Sequence, residues 1–269
     1  MATEQVSYHG NPNLKPLAYQ HDFTKEEIAE YVKCQKDPKY FIENYVKIVT
    51  LDRGLQPFKL FDCQKGKVDL IMNERKVILM EGRQQGKTVT AAACILHYTI
   101  FQEDKTVAIM ANKASAAREV LNRYQIMYEN LPLWMQQGVR VWNKGDVELE
   151  NNSKVLSAAT TASAIRGKSV NWLYIDEAAI IPNNIADEFF TSVYPTISAG
   201  ETTKILLTST PLGYNHFWKF WNEAEKKENG FEHMFIPYYE IPGRDEKWLE
   251  EQKGLLGEVK FNQEVMCEF

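Results

Sequence analysis

The chain has 269 residues, 44% of them hydrophobic and 25% charged, which is the balance of a globular protein with one large domain or a core and a small attachment. Its formal net charge of −5 argues against a domain coated in basic residues for nucleic acid, although a local basic patch would be enough to contact phosphate. No run of about 18 apolar residues is present and no signal-peptide pattern opens the chain, so we expect no membrane partner. The four cysteines lie far apart without a CxxC pair, which favours reduced thiols over a zinc site.

The first segments are polar or helical. Residues 1–22 are polar and predict an extended arm. The capping-box pattern Thr24-Lys25-Glu26-Glu27 predicts a helix to about residue 35, and Asp37-Pro38 predicts the start of a second helix. Residues 60–73 predict a third.

Strands and helices alternate in the rest of the chain. Short apolar runs predict strands at 76–80, 106–110, 172–175 and 204–208. Longer segments predict helices at 88–101, 115–130 and 216–227. The polar stretch 139–158 predicts two or three short strands, with a turn at 151–153 that could join two of them, and the tail 245–269 predicts two short helices after a break near 237–243. The alternation predicts an α/β fold with a mainly parallel sheet and helices on both faces.

The segment 81–88 follows a predicted strand and opens a predicted helix, which is the context of a Walker A phosphate-binding loop. Backbone N–H groups of the loop would surround the β-phosphate of a nucleotide. Lys87 would reach the β- and γ-phosphates, and the Thr88 hydroxyl would hold Mg²⁺. Glu81 stands where the usual pattern has its first glycine. The loop residues that we expect to bind nucleotide besides Lys87 and Thr88 are Gly82, Arg83, Gln84, Gln85 and Gly86.

A second segment, 172–177, has four apolar residues followed by Asp176 and Glu177. In P-loop enzymes an Asp at the carboxyl end of a buried strand lies beside the phosphate loop and orders the water shell of magnesium. The adjacent Glu177 can then polarise the attacking water. Together the two segments predict ATP hydrolysis, and the sequence has no Asn-Lys-x-Asp motif of the kind that reads guanine.

From about residue 60 to its C-terminus the sequence resembles the large terminase subunit of tailed bacteriophages, closest to the T-even-like myophage type. The segments that carry the resemblance are 141–145, 164–169, 174–177, 207–211 and 215–217. The resemblance implies a P-loop ATPase of the additional-strand, catalytic-glutamate class with a small lid subdomain built from both chain ends. We therefore expect an ATPase core at 40–236 and a lid or linker subdomain formed by 1–39 and 237–269.

The resemblance also implies roles for individual residues. Asp176 is implied as the magnesium acid and Glu177 as the catalytic acid, with Lys87 and Thr88 as the Walker A pair. A coupling motif that links hydrolysis to movement is implied at Thr208, Ser209 and Thr210, whose hydroxyls can hydrogen-bond to the γ-phosphate or its water.

Adenine recognition is implied at Gln64, because a primary amide can pair with both the donor and the acceptor edge of adenine. The family often has an aromatic residue where Cys63 stands here. We therefore expect base stacking to come from another side chain, with Phe58 and Phe61 as the alternatives.

Two arginines compete for the stabilisation of charge in the transition state. Arg83 lies inside the phosphate loop and could act within its own subunit. Arg166 lies in a loop before Glu177, and the resemblance favours it as a finger inserted into the site of a neighbouring subunit.

The function implied by the resemblance is ATP hydrolysis that drives double-stranded DNA into a procapsid in the host cell cytoplasm. The implied partners are the DNA, the phage portal protein, the small terminase subunit and further copies of the chain in a five-membered ring, with a monomer in isolation as the alternative. The residues after Thr210 hold helices and a lid-like segment, so we expect no nuclease domain and no DNA cutting. Two other readings are a superfamily 2 helicase or translocase fragment and a non-enzymatic scaffold with a vestigial nucleotide site.

Overall fold

The computed structural model describes residues 7–161, 165, 167–198 and 200–269, with the backbone alone at 193, 194 and 196–198. Its first helices are α1 (Lys25–Lys36) and α2 (Pro38–Tyr45). Both begin at caps that the sequence predicts. The Thr24 hydroxyl accepts a hydrogen bond from the Glu27 backbone at 3.1 Å, and the Asp37 carboxylate accepts one from the Tyr40 backbone at 3.0 Å.

An antiparallel hairpin follows, formed by β1 (Lys47–Thr50) and β2 (Gly54–Pro57). The sequence analysis did not predict it, because both strands are short and largely exposed and lack a continuous apolar run. The next element is α3 (Asp62–Asn73), which confirms the third predicted helix.

A sheet of eight strands forms the centre of the molecule, in the order β10-β3-β9-β8-β4-β7-β6-β5. Neighbours from β10 to β7 are parallel, and β5, β6 and β7 are antiparallel to one another. The sheet confirms the predicted mainly parallel α/β class. Its strands are β3 (Lys76–Glu81), β4 (Thr106–Ala111), β5 (Val139–Trp142), β6 (Asp146–Leu149), β7 (Lys154–Ala159), β8 (Trp172–Asp176), β9 (Lys204–Ser209) and β10 (Glu232–Ile236).

Helices cover both faces of this sheet. The remaining helices are α4 (Lys87–Phe101), α5 (Ala114–Glu129), α6 (Asn183–Ser198), α7 (His216–Glu225), α8 (Glu246–Leu256) and α9 (Glu258–Glu264). Alternate residues of the central strands face opposite sides: Tyr174 packs in one apolar cluster with residues of α3, α4 and α5, whereas Leu173 packs in another with residues of α6 and α7. Strands buried on both sides explain why their sequences read as unbroken apolar runs.

Two further elements were not predicted. Helix α6 contains Pro195, which interrupts a helical sequence pattern, and β10 is an edge strand whose exposed polar residues give it no apolar run. None of the described helices is long and apolar enough to cross a membrane.

The two ends of the chain contact the central part at different places. Helix α1 buries Cys34 in the same cluster as α4, and the Cys34 carbonyl lies 2.9 Å from Nε2 of His97. At the other end, the Glu264 carbonyl accepts a hydrogen bond of 3.1 Å from the Arg83 backbone. The division into a core at 40–236 and a two-ended lid stays a prediction.

Strand order decides where the predicted site lies. Strand β9 lies between β3 and β8, and all three run parallel. Their carboxyl ends therefore bring together the loop after Glu81, the acidic pair that begins at Asp176, and the hydroxyls that begin at Thr208. Ligands of open α/β sheets bind at this edge.

Candidate nucleotide-binding site

The phosphate loop joins β3 to α4 with two residues in the left-handed backbone region, Gln84 (φ +58°) and Gly86 (φ +85°). Gly86 is the N-cap of α4, and no side chain caps the helix there, so its first N–H groups point into the loop. Such a helix N-terminus attracts anions through its free N–H groups and its dipole. A side chain at Gly86 would place its Cβ 2.6 Å from Nε2 of Gln64, so glycine is required there by contact as well as by conformation.

Gly82 allows the C-terminal helices to approach the loop. A Cβ at Gly82 would lie 2.9 Å from the carbonyl oxygen of Glu264 and 3.4 Å from that of Val265. Two carbonyl oxygens of the loop accept from NH2 of Arg244, that of Arg83 at 3.0 Å and that of Gln84 at 2.9 Å. The loop is thus held from outside by the segment that follows β10.

Glu81, the departure from the usual loop pattern, is the last residue of β3 and does not have a positive φ, so nothing in its backbone requires glycine. Its side chain is fully buried, with Oε2 2.6 Å from Nζ of the equally buried Lys67. Burial raises the pKa of the Glu81 carboxyl, and the charge of Lys67 opposes that shift. The ion pair ties α3 to the start of the loop.

Asp176 lies at the end of β8 and is held by three hydroxyls. The Thr88 hydroxyl lies 3.1 Å from its Oδ2, whereas the hydroxyls of Tyr174 and Thr208 each donate to its Oδ1 at 2.9 Å. Burial, and after it the charge of Glu177, raises the pKa of the Asp176 carboxyl. The sequence analysis missed Tyr174, although alternation along β8 places residues 174 and 176 on the same face.

Glu177 has φ +51° and ψ +48°, a left-handed backbone conformation. Its Oε1 lies 2.9 Å from Nζ of Lys87, whose side chain is 7% exposed against 34% for Glu177. The two predicted groups that would act on the γ-phosphate and on its attacking water therefore form an ion pair.

The three hydroxyl residues after β8 in the sheet differ in direction. Thr208 is fully buried and its hydroxyl is engaged with Asp176, while Ser209 accepts a hydrogen bond of 3.0 Å from the Ala179 backbone. Thr210 lines the open cleft beside the loop. Of the three, Thr210 is the one whose side chain lies at the cleft surface.

The arginine alternatives differ in what can be said of them. Arg83 is largely exposed, and its Nε lies 2.8 Å from Oε2 of Glu264. Arg166 lies outside the described residues.

Gln64 is 4% exposed, and its Oε1 accepts a hydrogen bond of 3.0 Å from the Phe61 backbone. It lies beside the loop glycine Gly86 and not on the helix surface. Of the two stacking alternatives, Phe58 is buried at 3% exposure and Phe61 is 38% exposed, so only the Phe61 ring is open to a base.

A cleft of about 950 Å³ opens beside the loop. Besides Arg83, Gln84 and residues 86–88, it is lined by residues that the sequence analysis did not select, from the β1–β2 hairpin (47–51) and from α5 (Glu119, Asn122, Arg123). Gln85 does not line it, because its side chain is buried at 1% exposure.

A family model described as "Terminase large subunit, T4likevirus-type, N-terminal" matches residues 78–269. The chain belongs to this family. Membership confirms the resemblance seen in the sequence, places the terminase chain among the DNA-packaging ATPases, and decides against the helicase fragment and the vestigial scaffold.

Solved phage terminases share the fold. The ATPase domain of a Thermus phage large terminase matches with a TM-score of 0.64 at 20% identity, covering 79% of this chain and 94% of that chain. The HK97 bacteriophage large terminase matches with a TM-score of 0.71 at 17% identity, covering 86% of this chain and 54% of that chain. For the large terminase of a thermophilic bacteriophage in complex with ADP, the values are 0.61, 10%, 78% and 53%. The terminase chain thus spans about half the length of the latter two.

Proposed function

We propose that this chain hydrolyses ATP with Mg²⁺ at the cleft, and that hydrolysis drives double-stranded DNA into a procapsid. The observation that carries the proposal is the convergence of two pairs at the carboxyl edge of the sheet. Lys87 lies 2.9 Å from Glu177, and the Thr88 hydroxyl lies 3.1 Å from the Asp176 carboxylate. Cation, hydroxyl, metal-binding acid and water-activating acid are the groups that phosphoryl transfer needs.

The loop fits the phosphates of ATP. The N-terminus of α4 offers free N–H groups, and the ammonium of Lys87 lies at the same end of the helix. The cleft beside them is large enough for a nucleotide, since small-molecule sites occupy about 300–1,000 Å³.

Thr88 and Asp176 fit magnesium. Two ligands on adjacent corners of an octahedron lie about 3.0 Å apart when each is about 2.1 Å from the ion, close to the 3.1 Å between these oxygens. No cluster of three or more His, Cys, Asp or Glu side chains that could hold a metal occurs among the described residues, which suits an ion that also binds phosphate and water. When bound, Mg²⁺ would neutralise charge on the phosphate oxygens.

Lys87 and Glu177 would separate when ATP binds, because the ammonium has stronger anionic partners in the β- and γ-phosphates. The freed Glu177 carboxylate would then orient and deprotonate the attacking water. The ion pair thus keeps the base occupied until phosphate displaces it.

Two arginines remain candidates for the charge that develops on the γ-phosphate. Arg83 would act within its own subunit after leaving Glu264. Arg166 would act in the site of a neighbour, which makes the rate depend on assembly. A guanidinium of this kind is worth about 10³–10⁵ in rate where an enzyme uses one.

Two further groups have proposed roles. Thr208, Ser209 and Thr210 couple hydrolysis to movement, because their contacts join Asp176, the residue pair after Glu177, and the cleft. Gln64 reads the adenine edge, with Phe61 as the stacking ring that is exposed.

The assembly proposed is a five-membered ring of this chain on the portal of the procapsid, with the small terminase subunit as a further partner. The site of action is the host cytoplasm. Family membership supports the partners as a class, and the identity of each contact stays a proposal.

Phosphate release by the purified chain tests the proposal, measured with and without duplex DNA. We expect turnover that needs Mg²⁺ and disappears in Lys87→Ala. Normal nucleotide affinity together with normal turnover in that variant would contradict the assignment. Lys39→Ala, which removes a surface ammonium paired with Asp69 at 2.7 Å, is the matched control and should behave as the wild type.

A further inference from the structure

The two residues after Glu177 are held by side chains from another part of the chain. Glu177 occupies the left-handed region, which a residue other than glycine adopts only when the surrounding structure holds it there. Ala178 and Ala179 follow it and are both buried at 1% exposure. What holds their peptide groups therefore decides where the Glu177 carboxylate lies.

Three contacts hold these peptide groups. Nε2 of His216 lies 2.7 Å from the Ala178 carbonyl oxygen, and Nδ2 of Asn215 donates to the Ala179 carbonyl at 2.8 Å. The third is the hydrogen bond from the Ala179 N–H to the Ser209 hydroxyl, at 3.0 Å. The backbone that follows the catalytic acid is thus bonded mainly to the start of α7.

Asn215 has two functions in one amide. Its Oδ1 accepts from the backbone N–H groups of Phe217 at 2.9 Å and Trp218 at 3.3 Å, which makes it the N-cap of α7. Since Oδ1 faces donors, Nδ2 is the atom directed at the Ala179 carbonyl. The residue that begins α7 therefore also fastens the helix to the turn after Glu177.

His216 adds a second bond next to the first. It is 8% exposed, and burial lowers the pKa of its imidazole, which favours the neutral ring. A carbonyl oxygen can only accept, so the ring proton lies on Nε2, towards Ala178. The other ring nitrogen lies 3.0 Å from the side-chain amide of Asn183.

We propose that Asn215 and His216 are positioning residues for Glu177, and that through them α7 and the catalytic carboxylate move as one unit. This proposal rests on the proposed ATPase function. Neither residue lines the cleft, so both act through the backbone of residues 178 and 179. A small displacement of a reacting group lowers the rate far more than it changes substrate binding, because reaction requires closer alignment than binding does.

Asn215→Asp separates positioning from folding. The carboxylate caps α7 as well as the amide does, but it cannot donate to the Ala179 carbonyl. We expect a midpoint of thermal unfolding no lower than that of the wild type, affinity for ADP within about twofold, and a kcat lower by at least about tenfold. The matched control is Asn229→Asp at the other end of α7, where Nδ2 donates to the Phe220 carbonyl at 2.8 Å and Oδ1 accepts from Phe231 at 3.0 Å.

A pair of variants at His216 gives an independent test. His216→Gln keeps an N–H donor of similar reach and should retain kcat within about threefold, whereas His216→Leu removes the donor and should lower kcat by at least about tenfold with ADP affinity unchanged.

The outcomes separate the two proposals. A wild-type protein without ATP turnover contradicts the proposed function itself. Turnover in the wild type together with normal kcat in Asn215→Asp and His216→Leu overturns the positioning role alone. Equal losses in His216→Gln and His216→Leu, or loss of ADP affinity in step with kcat, also overturn it, because those results indicate general disruption of the site.

Discussion

Nζ of Lys87 lies 2.9 Å from Oε1 of Glu177, so the phosphate-binding ammonium and the catalytic carboxylate neutralise one another across the cleft. The two residues come from different strands, Lys87 after β3 and Glu177 after β8, with β9 between them. ATP binding must break this pair before either residue can perform its proposed role.

Glu177→Gln should therefore bind ATP more tightly than the wild type, although it hydrolyses ATP poorly. The amide keeps the shape of the side chain and removes the charge that competes with phosphate for Lys87. A partly exposed ion pair is worth about 0.2–1 kcal/mol, which corresponds to an affinity gain of up to about fivefold. Equilibrium titration with ATP checks this, and Glu223→Gln, which removes a carboxylate 4.0 Å from Lys219 on α7, should leave affinity unchanged. Weaker binding by Glu177→Gln would contradict the competition.

The buried pair of Lys67 and Glu81 predicts a large loss of stability when one partner is removed. Lys67→Met leaves a buried carboxylate without its cation and should destabilise the protein by about 3–5 kcal/mol in urea unfolding. Replacing both partners, with Lys67→Met and Glu81→Gln, should recover more than half of that loss. Lys39→Met, which breaks a surface pair, should cost less than about 1 kcal/mol. The interpretation is wrong if the buried and surface lysine variants lose the same stability.

The same variant should respond to pH. Burial raises the pKa of Glu81, and without Lys67 no neighbouring ammonium opposes the shift. A carboxyl whose pKa is raised on folding binds its proton more tightly in the folded state, so its stabilising contribution is lost as pH rises through the folded pKa. The stability deficit of Lys67→Met should therefore shrink between pH 8 and pH 5. A deficit that is constant over this range would show that Glu81 is not the cause.

Gly82→Ala and Gly254→Ala should change stability in opposite directions. A methyl group at Gly82 would lie 2.9 Å from the Glu264 carbonyl, and such overpacking costs about 1–3 kcal/mol. Gly254 lies inside α8 with nothing within 4 Å of an added Cβ, so alanine there should stabilise the helix by about 0.5–1 kcal/mol. Thermal unfolding of the two variants checks the prediction. An unchanged midpoint for Gly82→Ala would mean that the C-terminal helices do not press on the phosphate loop.

Arg166 and Arg83 can be distinguished by mixing variants. If Arg166 acts in a neighbouring site, turnover per subunit should rise with protein concentration in the wild type and stay flat in Arg166→Ala. A mixture of Arg166→Ala and Glu177→Gln should then recover activity, because the first keeps the catalytic acid and the second keeps the arginine. Concentration-independent turnover, or an inactive Arg83→Ala beside a normal Arg166→Ala, would favour the arginine of the same subunit.

The sequence predicted best where one local rule decides the structure. Strand β8 and its acidic end follow from four apolar residues before Asp176, and the start of α1 follows from the capping box at Thr24. The sequence predicted poorly where contacts between distant segments decide. Strand β10 exists because it pairs with β3, and its own residues are mostly exposed. Tyr174 reaches Thr208 only because β8 and β9 are neighbours in the sheet.

The departure at Glu81 illustrates the same limit. From the sequence it reads as a defect in the phosphate loop, because a glycine is usual there. Its buried partner, Lys67, lies 14 residues away on α3, and no local pattern connects them. The second function of Asn215 was likewise out of reach, since its N-cap role can be read locally and its bond to Ala179 spans 36 residues.

The most direct test of the central claim is single-turnover ATP hydrolysis by the wild type and by Glu177→Gln, with binding of ATP to each measured on the same samples. We predict Mg²⁺-dependent hydrolysis by the wild type and a rate lower by about 10²–10⁴-fold in Glu177→Gln, with ATP affinity retained or increased. Hydrolysis by Glu177→Gln at the wild-type rate, or a wild type that binds ATP with Mg²⁺ and never cleaves it, would contradict the account.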